Sequence, residues 1–340
     1  MNILMRYGRA NLVLMLTFLL AGCAASREET GKEQAGCSFE VRTRGTTDTA
    51  PDDAVQYTQL YVVERLQEHA ADHLHCAIDR RYKLTGGTYA LTDLYGQWYK
   101  FAFVCVPQWT DGGGAGLLTE ETPVDRTCDY NKLMIDFSPV LTYQKNLVNI
   151  ARTADLNIYR QVIDRWIDPD ATNVEDVELK RLTGELQIDM GIPADQFEYD
   201  VKSITLTLQA PAEKVYVRDG SIDEVTTVAG TADIVYTLDF SSLSDGAYET
   251  AMASRQIFRL CLLPDVLSGS ISVTFKGTTS SLTLPIGTGT DETRVEVRKN
   301  RVTTVLYNGM QQNEFEVRYA GFAAGGDSQV DVDDDKWNGW

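Results

Sequence analysis

An all-β fold of two tandem β-sandwich domains with a minor helical segment is what this sequence predicts, and three observations carry the prediction. Apolar residues recur at every second position through most of the chain, as in sheets with one buried face. Turn-forming residues interrupt these runs about every ten residues, the spacing of sandwich strands. No strand-helix-strand unit repeats, which argues against a parallel α/β sheet. With 340 residues the chain has enough length for two cores of ordinary size.

The first element is a processing signal. Arg6 and Arg9 give a positive start, Leu12 to Leu20 a short apolar run, and Leu20-Ala21-Gly22-Cys23 a lipobox. Signal peptidase needs small side chains at its cleavage site, and the Cys23 thiol is the nucleophile that takes the diacylglycerol. The apolar run is too short for a transmembrane helix, which needs roughly 20 residues. Residues 1–22 are therefore expected to be a signal peptide, with Cys23 lipidated and carrying acyl chains such as palmitate. Residues 23–36, polar and poor in aromatics, read as a flexible tether.

An N-terminal domain is expected over residues 37–172. Its strands are Ser38 to Arg44, Gln56 to Val63, Arg81 to Ala90 bent at Gly86-Gly87, the nearly continuous apolar run Lys100 to Val106, and Leu133 to Val140. The glycine-rich loop Asp111 to Gly116 lacks the Gly-Lys-Ser/Thr ending of a phosphate-binding loop. Leu147, Ile150, Ala154, Ile158, Val162, Ile163 and Trp166 recur at three- and four-residue steps and predict one or two helices between Tyr143 and Asp168, stopped by Pro169. A C-terminal domain is expected over residues 173–340. There Val201, Ile204, Leu206 and Leu208 alternate with hydroxyl residues, as do Ile271, Val273 and Phe275. Further strands follow at Val215 to Val217, Ile234 to Phe240, Ile257 to Leu263, Arg301 to Tyr307 and Phe315 to Phe322. The chain ends in an acidic tail, Asp333 to Asp335, and two indoles, Trp337 and Trp340.

Charge narrows the function classes. The net charge is −18, and removing residues 1–22 takes away two arginines and no acid, which makes it −20. Such a surface repels phosphate backbones, so no nucleic-acid partner is expected. Five cysteines follow Cys23, and their spacing contains no CxxC, so neither a zinc ribbon nor a thioredoxin-like site is indicated. They read as small buried hydrophobes with room for one disulfide among Cys37, Cys76, Cys105 and Cys128. All three histidines, His69, His73 and His75, stand beside Cys76. On a helix His69 and His73 would share a face at zinc-ligand spacing, but no HExxH pattern accompanies them, and a solvent-facing hairpin loop is the simpler reading. Asp331, Asp333 and Asp335 have the alternate-acid spacing of a calcium loop without its glycine and distal glutamate, which reads as a solvated tail. No metal and no cofactor is expected. With no G-x-S-x-G elbow and one histidine cluster, the chain does not read as an enzyme.

Several runs carry a family resemblance. Gln59-Leu60-Tyr61-Val62-Val63, then Gly87-Thr88-Tyr89-Ala90-Leu91-Thr92-Asp93-Leu94 and Gly96-Gln97-Trp98-Tyr99-Lys100-Phe101, resemble the strand, loop and G-x-Y-x-F strand of Bacteroidota fimbrillin-type proteins. Glu178 to Ile188 resembles the family's R-x-x-A-x-hydrophobic strand, with Gly184 where alanine is usual, and Val297 to Val305 is similar to its late N-x-V-T strand. With the lipobox, these runs are most similar to anchor or accessory subunits of type V fimbriae.

The resemblance implies transthyretin-like, Greek-key sandwiches and a subunit held at the cell outer membrane and exposed in the fimbrium. It implies pilin subunits as partners, bound by β-strand complementation, with adhesion to a host or bacterial surface ligand. It also implies that Ser38 to Arg44 either stays as an ordinary first strand or is cut at Arg42 or Arg44 by an arginine-specific protease to open a groove. An anchor would keep the strand, because the cut would release the lipid. The tail could donate a strand or cover its own sandwich. A surface glycan-binding lipoprotein is the alternative, with Trp98, Trp109, Trp166, Trp337 and Trp340 as candidate platform residues and Trp98, on a strand, expected in the core.

Overall fold

The computed structural model describes residues 34–43, 54–64, 78–84, 88–109, 118–119, 130–144, 156–192, 200–218, 225–253, 255–277, 281–287, 294–307, 315–321 and 330–331. The first half of the chain supplies β1 (Gln34–Thr43), β2 (Ala54–Glu64), β3 (Ile78–Leu84), β4 (Thr88–Tyr95), β5 (Trp98–Trp109), β6 (Leu118–Thr119), β7 (Met134–Asp136), helix α1 (Ser138–Gln144), β8 (Tyr159–Trp166) and β9 (Asn173–Arg181). One sheet runs in the order β3-β2-β5-β8-β9-β1-β4. Strands β8 and β9 pair over only Tyr159↔Arg181 and Arg160↔Lys180, so the sheet divides there into two layers. A single core of Cys37, Phe39, Leu91, Leu94, Phe101, Phe103, Val177 and Leu179 draws on both.

Strands β2 and β5 are buried on both faces. Leu60, Val62, Phe101 and Phe103 point into that core, whereas Tyr61, Val63, Ala102, Val104 and Val106 join a second one with Leu133, Ile135, Phe137 and Val140. Because successive strand side chains point to opposite faces, a strand between two cores loses its alternation. That is the physical origin of the unbroken apolar run at Lys100 to Val106.

The second half supplies β10 (Gly184–Asp189), β11 (Val201–Leu208), β12 (Ala212–Tyr216), β13 (Thr227–Ala229), β14 (Ile234–Asp239), helix α2 (Asp245–Met252), β15 (Gln256–Leu262), β16 (Asp265–Leu267), β17 (Gly269–Phe275), β18 (Ser281–Ile286), β19 (Val295–Val297), β20 (Arg301–Tyr307), β21 (Phe315–Gly321) and β22 (Val330–Asp331). Two sheets, β15-β10-β20-β21-β22 and β14-β11-β17-β18, supply Leu186, Ile188, Phe258 and Val305, and Ile204, Leu206, Ile271 and Val273, to the second core. The all-β sandwich class expected from the sequence is the class observed.

Three local expectations change. Ile158, Val162, Ile163 and Trp166, spaced as on a helix, lie on or beside β8, which pairs with β5 from Trp98↔Trp166 to Cys105↔Tyr159. Val162 packs on one core and Ile163 on the other, so the helical spacing is the imprint of a doubly covered strand. The helix that does form, α1, replaces the end of the expected strand Leu133 to Val140. Pro139 suits a first helical turn, and the Asp136 carboxylate accepts from the Ser138 amide at 3.0 Å and its hydroxyl at 2.6 Å. Finally, β9 pairs within the first sheet although it follows the expected boundary at residue 172, and β1 already begins inside the expected tether. The chain crosses between halves at Leu182-Thr183, and no local pattern reveals this because β9 is placed by parallel pairing with β1.

The halves are stitched together. In the sheet β13-β12-β7-β6, Val215 pairs with Ile135. Arg160 donates to the carbonyls of Tyr216 at 3.1 Å and Arg218 at 2.9 Å. Helix α2 offers a simple check on stability: a Cβ at Gly246 would meet nothing within 4 Å. Gly246→Ala is expected to stabilise the chain by about 0.5–1 kcal/mol, read as a raised urea midpoint.

Candidate assembly site

Strand β1 combines an alternating sequence with a central place. It pairs antiparallel with β4 through Phe39↔Tyr89 and parallel with β9 through Phe39↔Glu175. Ala35, Cys37 and Phe39 are buried, Val41 is half-buried, and Gly36, Glu40 and Arg42 are exposed. Phe39 lies 4.9 Å from the Phe101 ring in a tilted contact and 5.2 Å from that of Phe103 in an edge-to-face one. Main-chain bonds on both sides set direction, and alternate side chains in the core set register. At the strand's start the Asn173 amide donates to the Gly36 carbonyl at 2.9 Å.

Arg42 sits on this strand with its side chain in solvent, 2.7 Å from Glu40. Its backbone is paired in register with Glu178, so a protease must first draw the strand out of the sheet to reach it. Cys23, Arg44, the His69/His73/His75 cluster, Cys76, Cys128, Trp337 and Trp340 lie outside the described residues. At the other end of the chain, Val330 pairs with Gly321 and Asp331 with Ala320, which places β22 on the edge of its own sheet. Among the described residues, no group of three or more His, Cys, Asp or Glu is arranged to hold a metal.

Cys37, Cys105 and Cys261 are buried free thiols. Burial pushes Cys37 and Cys261 up to about 12 and Cys105 up to about 11, from an ordinary 9.0. Folded thiols therefore keep protons that unfolded ones release. Their contribution to stability is complete below pH 9 and drains as pH rises from 9 toward 12, in step with buried Tyr236 and Tyr307, which burial also raises. We expect the urea midpoint to fall steeply across that window, and a thiol reagent at pH 8 to spare these three cysteines until denaturant is added.

Trp98 departs from expectation, and Trp166, a candidate platform residue, is exposed beside it. Trp98 is 42% and Trp166 40% exposed, although both lie on strands. They sit opposite one another at the ends of β5 and β8, with centroids 6.1 Å apart and planes at 67°. Sequence reasoning puts Trp98 inside because it lies on a strand. It faces solvent because it is the strand's first residue, beyond the reach of the core that covers Ala102 and Val104.

No family model matches this chain, and no curated protein matches it. Among solved structures it is similar to a candidate cell adhesion protein from Bacteroides eggerthii, at 15% identity over 86% of this chain and 97% of that one, with a TM-score of 0.47. It is also similar to a fimbrial assembly protein from Parabacteroides distasonis (12% identity, 85% and 96% covered, TM-score 0.44). A third is the C-terminally truncated tip fimbrial protein Mfa3 from Porphyromonas gingivalis (11% identity, 84% and 98% covered, TM-score 0.43).

Proposed function

We propose that this chain is a lipid-anchored subunit of a fimbria at the outer-membrane surface, an anchor or accessory component that binds pilin subunits by β-strand complementation and so supports adhesion. The observation that carries the reading is β1: a strand with alternating side chains, held between β4 and β9, that follows a lipobox by a short polar tether. A sheet that accepts a strand at this place from its own chain has the geometry to accept one from a neighbour. Acyl chains on Cys23 would hold the sandwiches at the membrane, and the acidic surface would keep them off anionic headgroups. The role is structural, with no metal, cofactor or catalytic residue assigned.

Mass spectrometry of the chain's N-terminus in purified filaments tests this. An acylated Cys23 with Arg42 and Arg44 uncut is the expected result. A new N-terminus at Thr43 or Gly45 replaces the anchor by a polymerising subunit, and absence of the chain from filaments overturns the fimbrial reading.

A further inference from the structure

We propose that the surface cavity between Trp98, Trp166 and the loop before β9 is a binding site for a neutral sugar, one pyranose ring stacked on an indole with its hydroxyls donating to carboxylate oxygens. The cavity measures about 360 Å³ and is lined by the two tryptophans together with Asp164, Arg165, Asp168, Ala171, Thr172 and Asn173. This is a size and a mixture of aromatic and polar walls typical of small-molecule sites. Trp98, Lys100, Asp164 and Trp166 share one face of the sheet, the face that carries Ala102, Val104 and Val162 farther along. Inside the molecule that face is covered by the second core. At its end the two indoles stand bare, one as a floor and the other as a wall at 67°.

The walls are held in place before any ligand arrives. Asn173 donates to the carbonyls of Gly36 and Asp168 at 2.9 Å and of Ala171 at 3.2 Å, pinning the loop. The Asp170 amide donates to Asp168 Oδ1 at 2.9 Å, and Ile167 is bonded to the Gln97 carbonyl at 3.0 Å. A Cβ on Gly96 would come within 3.1 Å of Pro169, so the β4–β5 turn and the loop are in close contact. A site fixed in this way loses little freedom on binding.

Charge selects the ligand class. Arg165 is paired with Glu175 at 2.7 Å, and Asp164 with the nearly buried Lys100 at 3.2 Å, so both cations are already answered by acids. Asp168 uses Oδ1 on the Asp170 amide, and its second oxygen has no partner among the described residues. The cavity therefore presents acceptors and aromatic faces, and its one lining cation, Arg165, is drawn to Glu175, on a chain of net charge −18. An anionic ligand is disfavoured, and a proline-rich peptide would stack but bring no donors for Asp168. A polyhydroxylated ring meets both demands. This inference is independent of how the subunit is anchored or assembled.

The test is titration of the full chain with methyl glucopyranosides, mannopyranosides and galactopyranosides and methyl N-acetylglucosaminide, followed by saturation-transfer NMR and indole emission. We expect at least one to bind, with Trp98→Ala and Trp166→Ala each weakening it roughly tenfold and Asp168→Asn severalfold, in chains that remain folded. Trp98→Phe, which keeps a stacking face, should retain most of the affinity and guards against misfolding of the alanine variant. The proposal is overturned if no pyranoside binds up to ~10 mM, a free energy of only a few kcal/mol. It is equally overturned if binding survives Trp166→Ala, or if a polyproline peptide binds the cavity and every sugar fails.

Discussion

Phe39→Ala is expected to cost about 3–5 kcal/mol, the range for emptying a fully buried aromatic site, and to lower the urea midpoint accordingly. Phe39 is 0% exposed and packs against Phe101 and Phe103, which come from the opposite layer of the sheet. The residue thus ties β1 to the layer it does not pair with. The main-chain bonds of β1 to β4 and β9 remain in the variant, but the strand loses its anchor in the core. Local opening should become more frequent, so the same variant should be cut by an arginine-specific protease at Arg42 much faster than the wild type under native conditions. If Phe39→Ala leaves both midpoint and cleavage rate unchanged, β1 is not held in the way described.

Gly184→Ala should be nearly as damaging, about 3 kcal/mol and at the upper end of overpacking costs, despite adding a single methyl. A Cβ there would collide with the Arg298 carbonyl oxygen and lie 2.7 Å from Val297 Cγ1. Backbone cannot yield as a flexible side-chain end would. The site is where β10 leaves the crossing between the halves and the turn before β20 closes over it, with the Asn300 amide donating to the Thr183 carbonyl at 2.8 Å. Glycine at this position is thus a requirement of this chain's own packing. The same substitution at Gly246, with open space around it, should have the opposite sign, so the pair separates a steric cause from a general glycine effect.

Period-two alternation located most of the sheet. The strands at Ser38, Val201 and Ile271 announce themselves because each has one covered and one open face, or nearly so. Strand β8 does not, since Val162 and Ile163 serve opposite cores and blur the period toward that of a helix. The place of β9 is invisible for a different reason: its neighbour β1 lies far away in sequence, and parallel pairing leaves no hairpin turn to signal it. At the candidate assembly site, the inward set Cys37, Phe39 and Val41 could be read in advance, whereas its position between two strands could not. The exposed tryptophans were named from composition. Their exposure depends on where a covering layer stops, and a sequence records no such edge.

In both halves the opening strand makes its parallel partnership with a strand synthesised much later: β1 with β9, and β10 with β20. As the chain folds, Phe39 must wait for Val177 and Leu179 before its pocket can close, and loop closure over so long a separation is slow. Each module therefore passes through a stage in which a nearly finished sandwich carries an unfilled seam. A chain with that history needs either a chaperone to shield the gap or a rapid encounter with whatever strand reaches it first.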